Sequence, residues 1–215
     1  MYLVYQCTNL DCDLRFILSG NERKPLSCPR CNHPFLITKI EPGPSVSSES
    51  LIAHKKLHIE VLLDNIRSTL NVGSIFRTAD GAGIQKIHLC GITPTPEHPK
   101  MIKTGLGAEW SVPWEYHSNG LKLALQEKHK GANLICLEIV PGSKSIFKSP
   151  ISMTEQTILL VIGNEITGVD PEITAIADQT YHIPMVGFKK SLNVSVAFGI
   201  IAYQLMFATF IFKRL

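Results

Sequence analysis

The sequence predicts an α/β protein: a mostly parallel sheet with helices on both faces, preceded by a small cysteine-rich module. Three observations carry this. From residue 58 onward, short and almost wholly apolar runs alternate with helical segments, the pattern of parallel strands buried on both faces. Four of the six cysteines fall within the first thirty-one positions. Between the two regions lies "EPGPSVSSES", residues 41–50, whose Pro, Gly and Ser read as a linker. The expected organisation is a module over 1–40, a linker over 41–52 and a larger domain over 53–215.

The module contains three short apolar runs, "YLVY", "RFIL" and "FLITKI", and a C-x4-C…C-x2-C pattern at Cys7, Cys12, Cys28 and Cys31. About forty residues rarely fold without a staple. Two close pairs of thiolates suit a tetrahedral, redox-inert Zn²⁺, and "CPRCN" at 28–32 looks like a zinc-ribbon knuckle. Asn32 stands where such knuckles often have glycine, and Asn tolerates positive φ. Two disulfides and unligated thiols are the competing readings, and His33 is a possible substitute ligand. The ion would be structural, because four protein ligands leave no open position. Cys90 and Cys136 lie in apolar runs and read as core residues.

In the larger domain, "HIEVLLD" (58–64) reads as a buried strand and "NVGSIFRTADGAG" (71–83) as a helix ending at glycine. Strands follow at 86–90, 133–140 and 157–163, with a helix at 121–129 between the first two. "DPEITAIAD" (170–178) is a helix with Asp170 as N-cap and Pro171 in its first turn. A short strand at 180–184 and a long final helix close the chain.

That final run, "VSVAFGIIAYQLMFATFIF" (194–212), carries no charge and is long enough to span a bilayer. It also contains Ser195, Tyr203, Gln204 and Thr209, and the remainder reads as a soluble protein. Burial on several sides, in a core or a subunit interface, is the better account. One monomer's sheet covers one side of such a helix. A homodimer through it, including Tyr203, Phe207 and Phe210, is therefore expected, and no membrane span. With 45% hydrophobic and 18% charged residues the chain can build a core, and its +3 formal charge is too mild to argue for nucleic acid. The first residues lack the basic and apolar stretches of a signal peptide, so a reducing, cytoplasmic setting is expected.

Three polar segments stand out. "LDNIRSTLNVGSIFRTADGAGI" (63–84) gathers Asn65, Arg67, Asn71 and Arg77 around a strand end and a helix start. Capping by Asn71 plus a surface arginine is its plain alternative. "LLVIGNEITGVDPEI" (159–173) places Gly163 and Glu165 at the carboxyl end of an apolar strand, the functional edge of a parallel sheet. "IPMVGFKKSLNVSVAFGIIAYQL" (183–205) opens a helix at Ser191 or Asn193, either of which could serve only as its cap. No phosphate loop and no G-x-G-x-x-G dinucleotide fingerprint occurs.

Together, in order and at these spacings, the three segments resemble motifs 1, 2 and 3 of the SpoU/TrmH branch of the SPOUT RNA methyltransferases. "KTGLGAEWSVPW" (103–114) resembles the loop after the family's second strand. The resemblance covers roughly 57–212 and omits the cysteine module. It implies a C-terminal trefoil knot, which periodicity does not show, and S-adenosylmethionine bound there against Gly163, Ile183 and Leu192, with Ser191 and Asn193 in the same loop. It implies methylation of a ribose 2′-hydroxyl in tRNA or rRNA. Arg77 would sit near that hydroxyl, Glu165 and Asn193 would fix loop geometry, and Asn71 would help to position Arg77. The family pairs through its last helix, so Arg77 of one chain would act beside cofactor held by the other. The alternative is a non-catalytic RNA-binding protein on the same scaffold with a zinc-ribbon clamp. A missing Arg, Glu or Asn would favour it, and none is missing.

Overall fold

A computed structural model describes residues 1–41, 43, 57–101, 105, 107–149 and 156–207. The chain divides into two compact units, Met1–His54 and Lys55–Leu215. The first is a three-stranded antiparallel sheet in the order β2-β1-β3, with β1 at Tyr2–Cys7, β2 at Arg15–Ser19 and β3 at Phe35–Ile40. Each former apolar run is one strand. Tyr5, fully buried on the central strand, stacks on Phe16 at 5.2 Å and meets Phe35 edge-on at 5.2 Å. Phe16 and Phe35 also meet edge-on at 5.4 Å, closing an aromatic triad, and Leu3 and Val4 of β1 are buried as well.

The second unit is a seven-stranded sheet whose pairings are all parallel. Its elements are β4 (Ile59–Asp64), α1 (Thr69–Ala82), β5 (Lys86–Cys90), α2 (Ala108–Ser111), β6 (Trp114–His117) and α3 (Gly120–His129). They continue with β7 (Asn133–Leu137), β8 (Lys144–Ser145), β9 (Ile158–Ile162), α4 (Pro171–Ile176), β10 (Gln179–His182) and α5 (Val194–Phe207). The strand order is β6-β5-β4-β9-β7-β10-β8. The late strands thus insert between early ones: β9 between β4 and β7, β10 between β7 and β8.

Alternation along the strands builds two cores. Ile59, Val61 and Leu63 of β4, with Ile158, Leu160 and Ile162 of β9, face α1, α2 and α5. Leu62 of β4, with Leu159 and Val161 of β9, faces α3 and α4. All five β9 side chains are buried, at about 1.5–3 kcal/mol of transfer free energy each, so β9 anchors both layers.

Helix ends follow local chemistry. Ser68, not Asn71, caps α1: its Oγ accepts the Asn71 N–H, and the helix starts two residues earlier than expected. Gly83 closes α1 at φ 72°, where a side chain would be strained. Asp170 caps α4 with Pro171 in its first turn. The β7 strand stops at Leu137, three residues short of the sequence reading: the Glu138 N–H still donates to the Tyr181 carbonyl at 2.9 Å, but the Ile139 N–H turns to the Glu138 carboxylate. No helix among the described residues is long and apolar enough to cross a membrane. Residues 208–212 of the charge-free run, with Phe210, and most of the expected linker lie outside the described residues.

Candidate active site at the carboxyl edge of the sheet

Strands β7, β9 and β10 deliver their carboxyl ends to one rim, and the segment entering α5 closes it. There a cavity of about 300 Å³ is lined by residues from 137–139, 162–168, 182–185 and 191–197. Gly163, Ile183, Ser191, Leu192, Asn193 and Glu165 all line it. Leu137, Ile139 and Ile166 add apolar surface beside them. A Cβ on Gly163 would strike the backbone of Gly168 and Val169, so this wall requires glycine.

Polar contacts at the rim form one chain of fixed polarity. Glu165 accepts from the backbone N–H groups of Arg67 (2.9 Å) and Ser68 (3.1 Å) and from Asn71 Nδ2 (2.8 Å). A carboxylate only accepts, so Asn71 must turn its Oδ1 the other way, where Asn193 Nδ2 donates to it at 3.0 Å. Asn193 Oδ1 is then free to cap α5, accepting from Ser195 N at 2.9 Å. Three residues separated by up to 122 positions thereby lock the starts of α1 and α5 to the turn after β9. Burial works to raise the Glu165 pKa, but the three donors outweigh it and hold the carboxyl below its ordinary value.

The turn is braced further by Asn65, which the sequence reading named, and by Asn164, Glu138 and Asp64, to which it assigned no role. Asn164 donates Nδ2 to the Asn65 carbonyl at 2.6 Å and accepts from Ile166 and Thr167 N–H through Oδ1. Asn65 sits at φ 57°, the left-handed region that Asn tolerates, and joins the β4 end to the β9 end. Glu138 lines the cavity and accepts from Ile139 N (2.8 Å) and Val169 N (2.9 Å). Asp64, 3% exposed, accepts from Asp170 N at 3.1 Å; burial, then the Asp170 charge, pushes its pKa up. Asp64 ends β4 and Glu138 follows β7, and the only sequence signal was an acid at the close of an apolar run.

Arg77 is not brought to this cluster within one chain. It is exposed on α1, six residues and about 120° around the helix from Asn71. It shares a helical stripe with Leu70, Ser74 and Gly81. Gly81 packs near the Tyr203 hydroxyl of α5. Val196, Tyr203 and Phe207 are exposed on α5 at 51, 47 and 40%, and the last two rings stack at 5.4 Å.

In the first unit the four cysteine sulfurs converge within 4.8 Å of one another. All six cysteines of the chain are free thiols, so neither disulfide of the competing reading is present. Cys7 Sγ and Cys31 Sγ lie 3.4 Å apart, Cys12 Sγ and Cys28 Sγ 3.8 Å. Tetrahedral Zn–S bonds of about 2.3 Å put sulfurs about 3.8 Å apart. Asn32 follows the knuckle at φ 60°. The His33 ring turns to the Cys31 carbonyl at 3.1 Å, outside the sulfur cluster. Its backbone N–H helps bring the Cys31 thiol down to about 6.

Residues 58–203 match the family model of the SpoU rRNA Methylase family. A tRNA (guanosine(18)-2′-O)-methyltransferase of Aquifex aeolicus is 35% identical over 147 residues, covering 67% of this chain and 66% of that protein. The 23S rRNA (guanosine(2553)-2′-O)-methyltransferase RlmP of Bacillus subtilis is 27% identical over 155 residues, covering 67% of this chain and 56% of the relative. The AdoMet-bound rRNA methyltransferase of Sinorhizobium meliloti superposes with a TM-score of 0.63 at 27% identity, over 68% of this chain and 55% of that one. The chain thus spans just under two thirds, or less, of the length of these relatives.

Proposed function

The chain belongs to the SpoU rRNA Methylase family, and from that premise we propose that it transfers a methyl group from S-adenosyl-L-methionine to a ribose 2′-hydroxyl of RNA. The carrying observation is the Glu165–Asn71–Asn193 chain at the mouth of a cavity lined by Gly163, Ile183, Ser191 and Leu192. The cavity fits the cofactor. Its volume lies at the lower end for small-molecule sites. Apolar Leu137, Ile139 and Leu192 suit a base and thioether, and the bare Gly163 backbone allows close approach. When bound, the cofactor supplies an electrophilic sulfonium methyl.

The chain's residues must position a weak nucleophile and its departing proton. Methylation of the 2′-oxygen would release the hydroxyl proton, and the chain must provide for that release. An arginine does not readily take that proton. Arg77 instead orients the hydroxyl and a neighbouring phosphate, and the proton passes to that phosphate or to water. Glu165, Asn71 and Asn193 hold the loop geometry from which the methyl is presented. The relatives named for tRNA and rRNA support both as the substrate class, and the proposed partner is structured RNA of either kind.

A homodimer belongs to the same proposal. The stripe of Val196, Tyr203 and Phe207 on α5 lies beside the Arg77 stripe on α1, an apolar surface suited to a two-fold partner. Pairing there would carry Arg77 toward the partner's cavity and complete a site that one chain leaves open. The insertion of β9 and β10 between earlier strands supports the trefoil knot. The cysteine cluster supports one structural Zn²⁺ held by Cys7, Cys12, Cys28 and Cys31. A cytoplasmic location is included, where RNA substrates and reducing conditions for these thiols coincide.

The test is methyl transfer from labelled S-adenosylmethionine to tRNA and rRNA in vitro, with alkaline hydrolysis to locate the product. A 2′-O-methyl group protects one phosphodiester from cleavage, and that protected dinucleotide is expected. RNA bound without label transfer, under conditions where the protein also binds the cofactor, would favour the non-catalytic reading.

A further inference from the structure

Away from the cavity, ionisable side chains concentrate on β4, β5 and the edge strand β6, on the face that α3 covers. His88 is the centre of the group, 2% exposed in the middle of β5. A buried imidazole needs a partner for each nitrogen. Its Nε2 lies 2.7 Å from Glu60 Oε2, and its Nδ1 lies 3.0 Å from His117 Nε2. The ionised Glu60 can only accept, so the His88 proton sits on Nε2. In that tautomer the lone pair of Nδ1 points toward His117 Nε2. A third donor closes on the same point: Glu115 Oε2 is 3.6 Å from His117 Nε2. One atom from each of His88, Glu115 and His117 lies within 4.8 Å of the others.

These distances match a metal's bite. Zn²⁺ holds nitrogen and oxygen at about 2.0–2.2 Å, which in a tetrahedron separates donors by about 3.3–3.5 Å. The observed separations of 3.0 and 3.6 Å bracket that span. Behind His88, Glu60 supplies the outer carboxylate that commonly orients a ligating histidine and fixes its tautomer. Glu60 is in turn met by His58 at 3.0 Å. Strand pairing preforms the set, since His88 lies directly opposite Glu115 and Cys90 opposite His117.

We propose that His88, His117 and Glu115 form a second metal site, for a zinc-like transition-metal dication, with Glu60 as outer carboxylate and one coordination position left to water. On binding, His117 gives up its Nε2 proton to solvent and takes one from solvent on Nδ1, so that the neutral ring offers Nε2 to the ion. The site ties edge strand β6 to β5. None of its residues lines the methyl-transfer cavity. One group opposes it: Lys86 Nζ is 2.9 Å from Glu115 Oε2 and holds the carboxylate that the ion would take. The ammonium must swing out to solvent when metal enters.

The experiment is metal content and affinity of the full chain, dialysed against micromolar Zn²⁺, with His117→Ala as the main variant. The readout is the difference between the two proteins, so zinc at the cysteine cluster cancels. Wild type should hold one more Zn²⁺ per chain than His117→Ala, with Glu115→Gln as an independent second loss. Titration should show Zn²⁺ at this site weakened about 10–100-fold by Glu60→Gln and tightened about tenfold by Lys86→Met, which removes a competing charge. Equal zinc content in wild type and a folded His117→Ala protein would overturn the proposal. So would a Lys86→Met protein that takes up no additional zinc at any concentration where the cysteine site is full.

Discussion

Replacing Glu165 by Gln tests whether one carboxylate ties the cavity to the start of α1. Glu165 spends Oε1 on Ser68 N–H and Asn71 Nδ2, and Oε2 on Arg67 N–H. These donors sit at the helix N-terminus, where the backbone leaves N–H groups unpaired and favours negative charge. Gln can keep the Oε1 pair, but its NH2 group then faces the Arg67 N–H. One charge-assisted bond of about 1.5–3 kcal/mol is lost and two fall toward about 1 kcal/mol each. Because the side chain is exposed, water and screening reduce the net cost to about 1–2 kcal/mol. For a domain of this size that lowers Tm by about 2–8 °C. Cofactor affinity should fall about 5–30-fold if the same energy holds the 163–168 turn in its binding form. The pH dependence has a definite sign. The folded pKa of Glu165 is depressed, so its contribution is fully present above the unfolded value of about 4.3 and fades as pH falls through the folded one. The gap between wild type and Glu165→Gln should therefore be widest near pH 7 and shrink below about pH 4. Calorimetric melting at both pH values and titration with S-adenosylmethionine measure it. A variant melting with wild type at pH 7, or a deficit unchanged on acidification, would refute the reasoning.

Gly163→Ala should abolish detectable cofactor binding and cost about 1–3 kcal/mol of stability, because its Cβ meets the Gly168 and Val169 backbone and no side chain can yield; binding and melting curves check both. Arg77→Ala should leave cofactor affinity within a few-fold and slow methyl transfer by on the order of 10²–10³, and Lys should not rescue it, lacking the planar fork. Cys12→Ser should lower bound zinc by about one ion per chain and expose residues 1–41 to protease, read by metal analysis and limited digestion. Phe207→Glu should yield a weakly active monomer in sedimentation, since it places a charge in the exposed α5 stripe.

The parts of the fold legible in the sequence are those where burial is two-sided. Strand β9 reads as a continuous apolar run and β4 and β5 as largely apolar ones, and α4 announced itself through Asp170 and Pro171. Strand β6, "WEYH", was missed because an edge strand needs no unbroken apolar run, and β8 is only two residues long. In the site, Glu165 and Asn71 meet across 94 positions, a distance that no local pattern encodes. Their grouping came from the family resemblance. Taken alone, Asn71 read equally well as a cap, and only Ser68 in that role frees its amide for Glu165 and Asn193. Glu138 was hidden for the opposite reason: a hydrophobic reading of "NLICLEIV" absorbed the one acid that follows the strand.

Helix α1 is the element through which these observations connect. Its N-terminus is fixed by Glu165 and Asn193, both of which line the cavity. Its inner face, with Ile75, Phe76 and Ala79, is buried in the core, so the helix cannot roll without breaking packing. Its outer face carries Arg77 beside the exposed stripe of α5. A shift of the 163–168 turn therefore acts on the same rigid body that aims Arg77, about 120° away around the axis. The cavity and the arginine face different directions and are coupled through one helix, whose orientation the Glu165 carboxylate helps to set. Chemistry that needs both requires a second surface to bring them together, and the α5 stripe adjoining Arg77 is the surface suited to supply it.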